Sequence, residues 1–205
     1  MKKEINIEKP TEEFARKYIE RFSDNSNGKI RHYPFQEKAV VKIRHIFPKN
    51  IDITEILLKV GILNSFYSTN IFKPFAVAEH IRDLDIDEKL EKGDLSIIND
   101  IAENKISGKN KRFYSFATKY CSMHNPEKYP IYDSYIGWIL NLYKKQFKFS
   151  NFKIDELRDY GMFKKVLQEF KTFFGLEKLT FKELDQFLWM YAKEIKPNNY
   201  KESSI

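Results

Sequence analysis

The chain has 205 residues, of which 42% are hydrophobic and 16% aromatic, so it can bury a core and is not a disordered protein. Its one cysteine, Cys121, cannot form an internal disulfide, and no stretch reaches the roughly 18 apolar residues of a membrane span, which favours a soluble cytoplasmic protein. Lys and Arg number 36 against 29 Asp and Glu, and this net charge of +7 favours a nucleic-acid partner, although an excess of Lys in the composition alone gives the same charge.

Apolar residues recur at helical spacing along most of the chain. Thr11 is predicted to cap the first helix, Gly175 to end the penultimate one, and Thr180 with Glu183 to form a capping box on the last. A loop is expected around residues 24–28 and a frayed tail after Pro197. Helices are predicted over residues 11–22, 34–47, 52 or 54 to 69, 74–84, 90–103, 133–143, 155–174 and 181–195, with one more in the central segment.

These elements predict an all-α fold, a bundle of about eight to ten helices. Only 7 Gly and 7 Pro are present, which leaves few turn residues for a fold of many strands. We expect a single domain over residues 1–205, in which residues 1–103 and 104–205 form two helical halves as an alternative description.

The central segment contains no acidic residue between Glu103 and Glu127, although the chain has 29 acids. A short turn between two helices is predicted at residues 106–110, because Gly and Asn most readily adopt positive φ. Such a turn exposes backbone N–H groups that hold phosphate, and the alternative is an ordinary connector with a solvated basic face. The predicted nucleic-acid contacts are Lys105, Gly108, Lys109, Asn110, Lys111 and Arg112.

The helix after this turn is predicted to have two distinct faces. Its core face follows the i, i+3, i+4, i+7, i+8 rule and comprises Phe113, Phe116, Ala117, Tyr120 and Cys121. Lys111, Ser115 and Lys119 form a second stripe at intervals of four residues. Asp133 then begins a further helix, where an N-cap role alone would account for it.

The arrangement from Lys105 to Ile136 resembles the helix-hairpin-helix DNA glycosylases, in particular the 8-oxoguanine DNA glycosylase branch. It runs as basic turn, amphipathic helix, proline-containing loop and the sequence Pro-Ile-Tyr-Asp ending at Asp133. The segment 63–70 is similar to the helix that lines the base pocket of that family, and 184–189 to its C-terminal helix. The resemblance covers residues 50–195 and implies a central helix-hairpin-helix element that binds double-stranded DNA.

The resemblance also implies the catalytic residues, with two departures. Asp133 matches the catalytic aspartate, but Asn110 occupies the place of the second hairpin glycine, and the place of the catalytic lysine falls at Ser115. Lys119 lies one turn later, and its side chain can lean back over that turn. Lys119 is therefore the nucleophile, a phosphate contact or a solvated charge, and the serine at position 115 favours a phosphate contact over the nucleophile.

The implied reaction is base excision, as in DNA repair. A modified base is flipped into a pocket for which Asn64, Tyr67 and Trp189 are the candidates, and Asp133 stabilises positive charge on the sugar as the N-glycosidic bond breaks. If Lys119 attacks C1′, a Schiff base forms and strand cleavage can follow. No cofactor is predicted, and no metal, because four histidines and one cysteine offer no ligand cluster.

Two other functions are alternatives to base excision. A helix-hairpin-helix module that has lost catalysis would bind nucleic acid or a partner protein, in a bacterial antiviral operon for example. A nuclease built on residues 85–89 is disfavoured, because its metal-binding carboxylates would need a β-hairpin and this stretch is a charged helix junction.

Overall fold

The structure is a computed structural model that describes residues 5–24 and 30–196. This part of the chain contains ten α-helices, within the predicted range, and its only sheet has two strands, which confirms a predominantly helical fold. The helices are α1 (Glu12–Ser23), α2 (His32–Ile46), α3 (Ile53–Tyr67), α4 (Pro74–Asp83), α5 (Asp87–Lys92), α6 (Ile97–Ala102), α7 (Tyr114–His124), α8 (Ser134–Phe147), α9 (Tyr160–Phe174) and α10 (Phe181–Ile195).

The predicted helix caps are present. The Thr11 hydroxyl accepts a hydrogen bond of 3.1 Å from the Phe14 N–H at the start of α1, and Gly175 ends α9 in the left-handed conformation with φ +70°. Thr180 and Glu183 form the predicted capping box on α10. The predicted loop at residues 25–28 and the tail after Pro197 lie outside the described residues.

Two predicted helices are each divided. The segment 90–103 becomes α5 and α6, because Gly93 ends α5 with φ +78°. The segment 155–174 becomes a 3-10 turn (Asp155–Arg158) and α9, because the Asp159 carboxylate accepts a hydrogen bond of 2.8 Å from the Met162 N–H and starts a new helix there. Helical spacing continued across both breaks, so periodicity alone did not reveal them.

The central turn is a β-hairpin, and here the predicted helix-hairpin-helix geometry is corrected. Strands β1 (Glu103–Ile106) and β2 (Lys109–Arg112) pair antiparallel around Ser107 and Gly108, with φ +52° and +76°. Two consecutive residues with positive φ make the two-residue type I′ turn that matches strand twist. Gly108 has its predicted positive φ, whereas Asn110 lies in β2 opposite Lys105.

Helix α7 lies at the centre of the molecule. It packs on α6 and also contacts α2 and α3, while α8 and α1 both pack on α10. The predicted core residues of α7, with Phe113 only partly buried, lie inside the protein, and Lys119 is buried with them at 3% exposure. The predicted stripe of Lys111, Ser115 and Lys119 is therefore not a solvated face of α7, and Lys111 lies in β2, outside the helix. None of the helices in residues 5–24 and 30–196 is long and apolar enough to cross a membrane.

Candidate active site and nucleic-acid interface

A cleft of about 1010 Å³ opens beside α7. It is lined by residues of α2, the C-terminal end of α3 and α10, and by Arg112, Tyr114, Ile154, Asp155 and Arg158. The start of α8 and one face of α7 also line it. Among its lining residues are the sequence-predicted Tyr67, Arg112, Ser115, Lys119, Asp133 and Trp189. The cleft therefore brings together residues that are far apart in the sequence.

Lys119 presents a buried amine to this cleft. Its Nζ donates hydrogen bonds to the Ser115 hydroxyl at 2.6 Å and to the Tyr132 carbonyl oxygen at 3.2 Å. Burial lowers the pKa of Lys119 below its ordinary value, and the negative charges of Asp133 and Asp185 act in the opposite direction. An amine with a lowered pKa is more often neutral, which is the form that acts as a nucleophile.

Ser115 holds the Lys119 amine one helical turn before the Cα of Lys119. The Ser115 hydroxyl accepts from Lys119 and donates to the Tyr132 carbonyl at 3.0 Å. Helical side chains lean toward the N-terminus of their helix, and this brings the Lys119 amine beside residue 115. The serine at the expected lysine position is thus occupied in holding the lysine that follows it.

Asp133 lies at the N-terminus of α8 and at the edge of the cleft. Its Oδ1 accepts a hydrogen bond of 2.9 Å from the Ile136 N–H, so the predicted N-cap is present. The carboxylate is only partly buried and lines the same cleft as the Lys119 amine. Capping uses Oδ1, which leaves Oδ2 available to a ligand in the cleft.

Two further carboxylates, Glu37 and Asp185, line the cleft and were missed by sequence reasoning. The pKa of Asp185 is raised to about 7, first by burial and further by the negative charges of Asp133 and Glu37, against the opposing cations Lys182 and Lys119. The sequence held one signal for Asp185: it lies four residues before Trp189 on α10, hence on the same face. Glu37 carried no such signal.

The raised pKa of Asp185 gives a prediction for stability. A carboxyl whose pKa rises on folding favours the protonated state in the fold, so its stabilisation is complete below about pH 4 and is lost as pH rises to about 7. Relative to wild type, Asp185→Asn should gain roughly 2–4 kcal/mol in unfolding free energy between pH 4 and pH 8, allowing for partial exposure. Urea unfolding at both pH values measures this, and an equal difference at both would contradict the raised pKa.

Tyr67 is held firmly beside Lys119. Its hydroxyl donates to Glu37 Oε1 at 3.0 Å, and Glu37 Oε2 pairs with Lys182 Nζ at 2.7 Å. The Lys119 Nζ lies 5.6 Å from the centroid of the Tyr67 ring, within the range of a cation–π contact. The ring is therefore fixed next to the amine, and at the same time faces the cleft.

Asn64, the third predicted pocket residue, does not line the cleft. Its Oδ1 accepts from the Thr69 hydroxyl and the Ile71 N–H, both at 2.9 Å, and its Nδ2 donates to the Ile71 carbonyl at 2.9 Å. With its amide used in this way, Asn64 shapes the loop between α3 and α4. The residues that follow it, 65–70, line the cleft, whereas the Asn64 side chain hydrogen-bonds within the loop.

The hairpin is anchored at both ends. At its base the Asn104 side chain donates to the Ile101 carbonyl at 2.8 Å, and Arg112 binds Glu103 Oε1 and Asn99 Oδ1, both at 2.9 Å. Arg112 therefore braces the hairpin and lines the cleft, while its side chain stays 39% exposed. All six predicted nucleic-acid contacts lie on the exposed surface of the hairpin: Lys105, Gly108, Lys109, Asn110, Lys111 and Arg112.

The loop between α3 and α4 meets the tip of the hairpin. Lys73 Nζ donates to the Ser107 hydroxyl at 2.5 Å, and the neighbouring Phe72 is 91% exposed. Residues 68–70 of this loop line the cleft. The loop and the hairpin thus form one continuous surface at the rim of the cleft, and sequence reasoning did not find the exposed ring.

Comparisons of the sequence with known proteins identify its family. The family model HI_0787_N, described as an N-terminal domain, matches residues 14–128. An uncharacterized protein of Haemophilus influenzae is 46% identical over 148 residues, which is 72% of this chain and 71% of that protein. No solved structure matches the chain. The matched range of the family model includes Glu37, Tyr67, Ser115 and Lys119 and ends before Asp133.

Proposed function

The chain belongs to the HI_0787_N family, and we propose that it is a DNA glycosylase that releases a modified base, with Lys119 as the attacking amine and Asp133 as the carboxylate beside it. One observation carries the proposal: a buried lysine, 3% exposed and with a lowered pKa, lines a cleft together with an aspartate and aromatic side chains. Buried amines of this kind are typical of enzymes that form Schiff bases.

The chemistry begins at C1′ of the flipped nucleotide. The lone pair of neutral Lys119 forms a bond from Nζ to C1′ while the N-glycosidic bond breaks and its electron pair leaves with the base. The leaving base takes up a proton, and Asp185, with a pKa of about 7, is partly protonated near neutral pH and can donate it. The new ammonium passes its proton to the Asp185 carboxylate, and the C1′–O4′ bond then breaks, with its electron pair leaving on O4′, which takes that proton to become a hydroxyl. This gives the iminium at C1′, and water hydrolyses it to release Lys119.

Asp133 acts on the charge of the transition state. Positive charge grows on the sugar as the base departs, and a carboxylate fixed by its own helix cap stabilises that charge without having to reorganise. The Oδ1 bond to the Ile136 N–H fixes the orientation of the carboxylate, and Oδ2 faces the reaction. The hydrogen bond that makes Asp133 a helix cap therefore also orients its carboxylate for catalysis.

The cleft is large enough for an extruded nucleotide. Its volume of about 1010 Å³ is at the upper end of the roughly 300–1000 Å³ of small-molecule sites. Tyr67 and Trp189 offer rings against which a base can stack, and stacking contributes about 1–3 kcal/mol per base. Asp185 lines the same cleft and can hydrogen-bond the edge of the base to which it gives its proton.

The α6–β1–β2–α7 unit takes the place of the helix-hairpin-helix element in this proposal. Its exposed lysines face DNA phosphates, and each phosphate neutralised contributes about −0.9 to the slope of log K against log salt. The triple variant Lys105→Gln, Lys109→Gln, Lys111→Gln should therefore bind duplex DNA more weakly and show a slope reduced by about 2.7. Fluorescence anisotropy over a range of salt concentrations measures both effects.

A matched control separates the hairpin from net charge. Lys9, Lys17 and Lys145 are exposed and lie outside the cleft and the hairpin, so replacing all three by Gln removes the same charge elsewhere. This control variant should keep a slope close to that of the wild type. Equal losses in the two variants would mean that the hairpin is only a solvated basic face.

The activity itself is tested with the unaltered protein on DNA that carries one modified base, placed either in a full duplex or in an unpaired bubble. Release of a base, together with a borohydride-trapped protein–DNA adduct, is the expected result. Binding with no base release from any of these substrates would instead favour the module that has lost catalysis. Release without an adduct would assign the attack to water activated by Asp133 and would overturn the role of Lys119.

A further inference from the structure

Four neighbouring aromatic rings line the cleft, and we call them the aromatic strip: His32 and Tyr33 of α2, Trp189 of α10 and Tyr135 of α8. Tyr33 and Trp189 meet edge to face at 4.9 Å between ring centroids, and Tyr135 lies 6.3 Å from Trp189. His32 continues the row, 4.1 Å from Tyr33.

A lysine covers the strip. The exposed Lys193 places its Nζ 4.3 Å from the centroid of Trp189 and donates a hydrogen bond of 2.6 Å to the Tyr33 hydroxyl. Both interactions are made at the protein surface, where a cation–π contact is weak. The lysine can therefore leave the ring for a phosphate at little cost, and the face of Trp189 then becomes available.

Aromatic rings alternating with cations are the pattern of single-strand nucleic-acid sites. Bases with free faces stack on such rings, whereas in a duplex every base is already stacked and paired. The strip lies on α2, α8 and α10 and shares no residue with the hairpin surface proposed for duplex phosphates. A cleft with a duplex-binding hairpin at its rim and a separate stacking surface fits DNA that is only partly paired.

We propose that the aromatic strip binds unpaired nucleotides next to the target base, so that the substrate is DNA with a single-stranded or bubbled region rather than a fully paired duplex. This rests on the proposed function for the position of the target base. Binding by the strip needs no catalysis, so it can be tested separately. Trp189 takes a neighbouring base or the flipped base on its face, and Lys193 takes the phosphate of that nucleotide.

The chain offers its own reporter, because Trp138 and Trp189 are its two tryptophans. In the Trp138→Phe variant, fluorescence comes from Trp189 alone, and the unaltered protein serves as a check that this change leaves binding intact. An oligothymidylate of about 12 nucleotides, within the roughly 4–16 that single-strand sites span, should quench this fluorescence on binding. A fully paired duplex of the same length should bind through the hairpin with little quenching.

Charge removal on the strip gives the second measurement. Lys193→Gln should weaken oligothymidylate binding several-fold and lower the salt slope by about 0.7, the contribution of one phosphate on a single strand. Lys38→Gln is a matched control, since Lys38 is also exposed and lies 5.8 Å over the ring of Phe35 on α2, outside the cleft. It should leave both values near those of the parent.

Three results would overturn the proposal: no quenching by oligothymidylate, equal quenching by the paired duplex, or equal effects of Lys193→Gln and Lys38→Gln. Base release from fully paired DNA with no quenching would remove the strip's role and leave the glycosylase in place. Quenching by oligothymidylate in a protein that releases no base would do the reverse.

Discussion

Lys119→Gln is expected to abolish borohydride trapping and to reduce the single-turnover rate of base release by roughly 10³–10⁶-fold, the scale seen when an enzyme loses its nucleophile. Glutamine has a side-chain amide that can still donate to the Ser115 hydroxyl and the Tyr132 carbonyl, the two acceptors of the lysine. The packing of α7 is thus largely kept while the nucleophile is lost. Trapping on a duplex that the unaltered protein cleaves measures the effect.

Lys59 provides a matched control for a buried lysine. It is fully buried, burial lowers its pKa to about 8, and its Nζ donates to Asn50 Oδ1 at 2.9 Å in a network outside the cleft. Lys59→Gln should lower stability and leave trapping of the folded protein intact. An adduct that persists in Lys119→Gln, or that maps to another lysine, would remove Lys119 from the mechanism.

Asp133→Asn is expected to slow base release by about 10²–10⁴-fold with DNA affinity and unfolding free energy close to those of the wild type. Asparagine caps a helix about as well as aspartate, so the bond to the Ile136 N–H is kept and only the negative charge is lost. Single-turnover base release, anisotropy and urea unfolding of the same preparation separate chemistry from binding and folding.

Asp159→Asn is the corresponding control for a helix cap. Asp159 caps α9 through a bond of 2.8 Å to the Met162 N–H and does not line the cleft. Its replacement should leave base release unchanged. If Asp133→Asn released base at the rate of the control, Asp133 would be a cap and nothing more, and the attack on C1′ would need no carboxylate at that position.

The helix caps and the apolar face of α7 were predicted from sequence because their causes are local. Thr11, Asp133 and Thr180 each bind an N–H within three residues, and such bonds form whatever the rest of the chain does. The burial of Phe116 and Tyr120 follows equally from spacing along one helix. The sequence by itself therefore determined the helical class, most helix starts and the core face of the central helix.

The central hairpin and the cleft were decided by contacts between distant residues. The hairpin over 103–112 is held by bonds from Arg112 to Asn99 on α6 and from Lys73 to Ser107, which span 13 and 34 residues and do not follow from local pattern. The buried environment of Lys119 exists only once α2 and α3 pack on α7. Glu37 from α2 and Asp185 from α10 reach the same cleft by that packing. The charge of Glu37 raises the pKa of Asp185 and the charge of Asp185 raises that of Lys119, and both act through space, an effect that the order of residues along the chain does not encode.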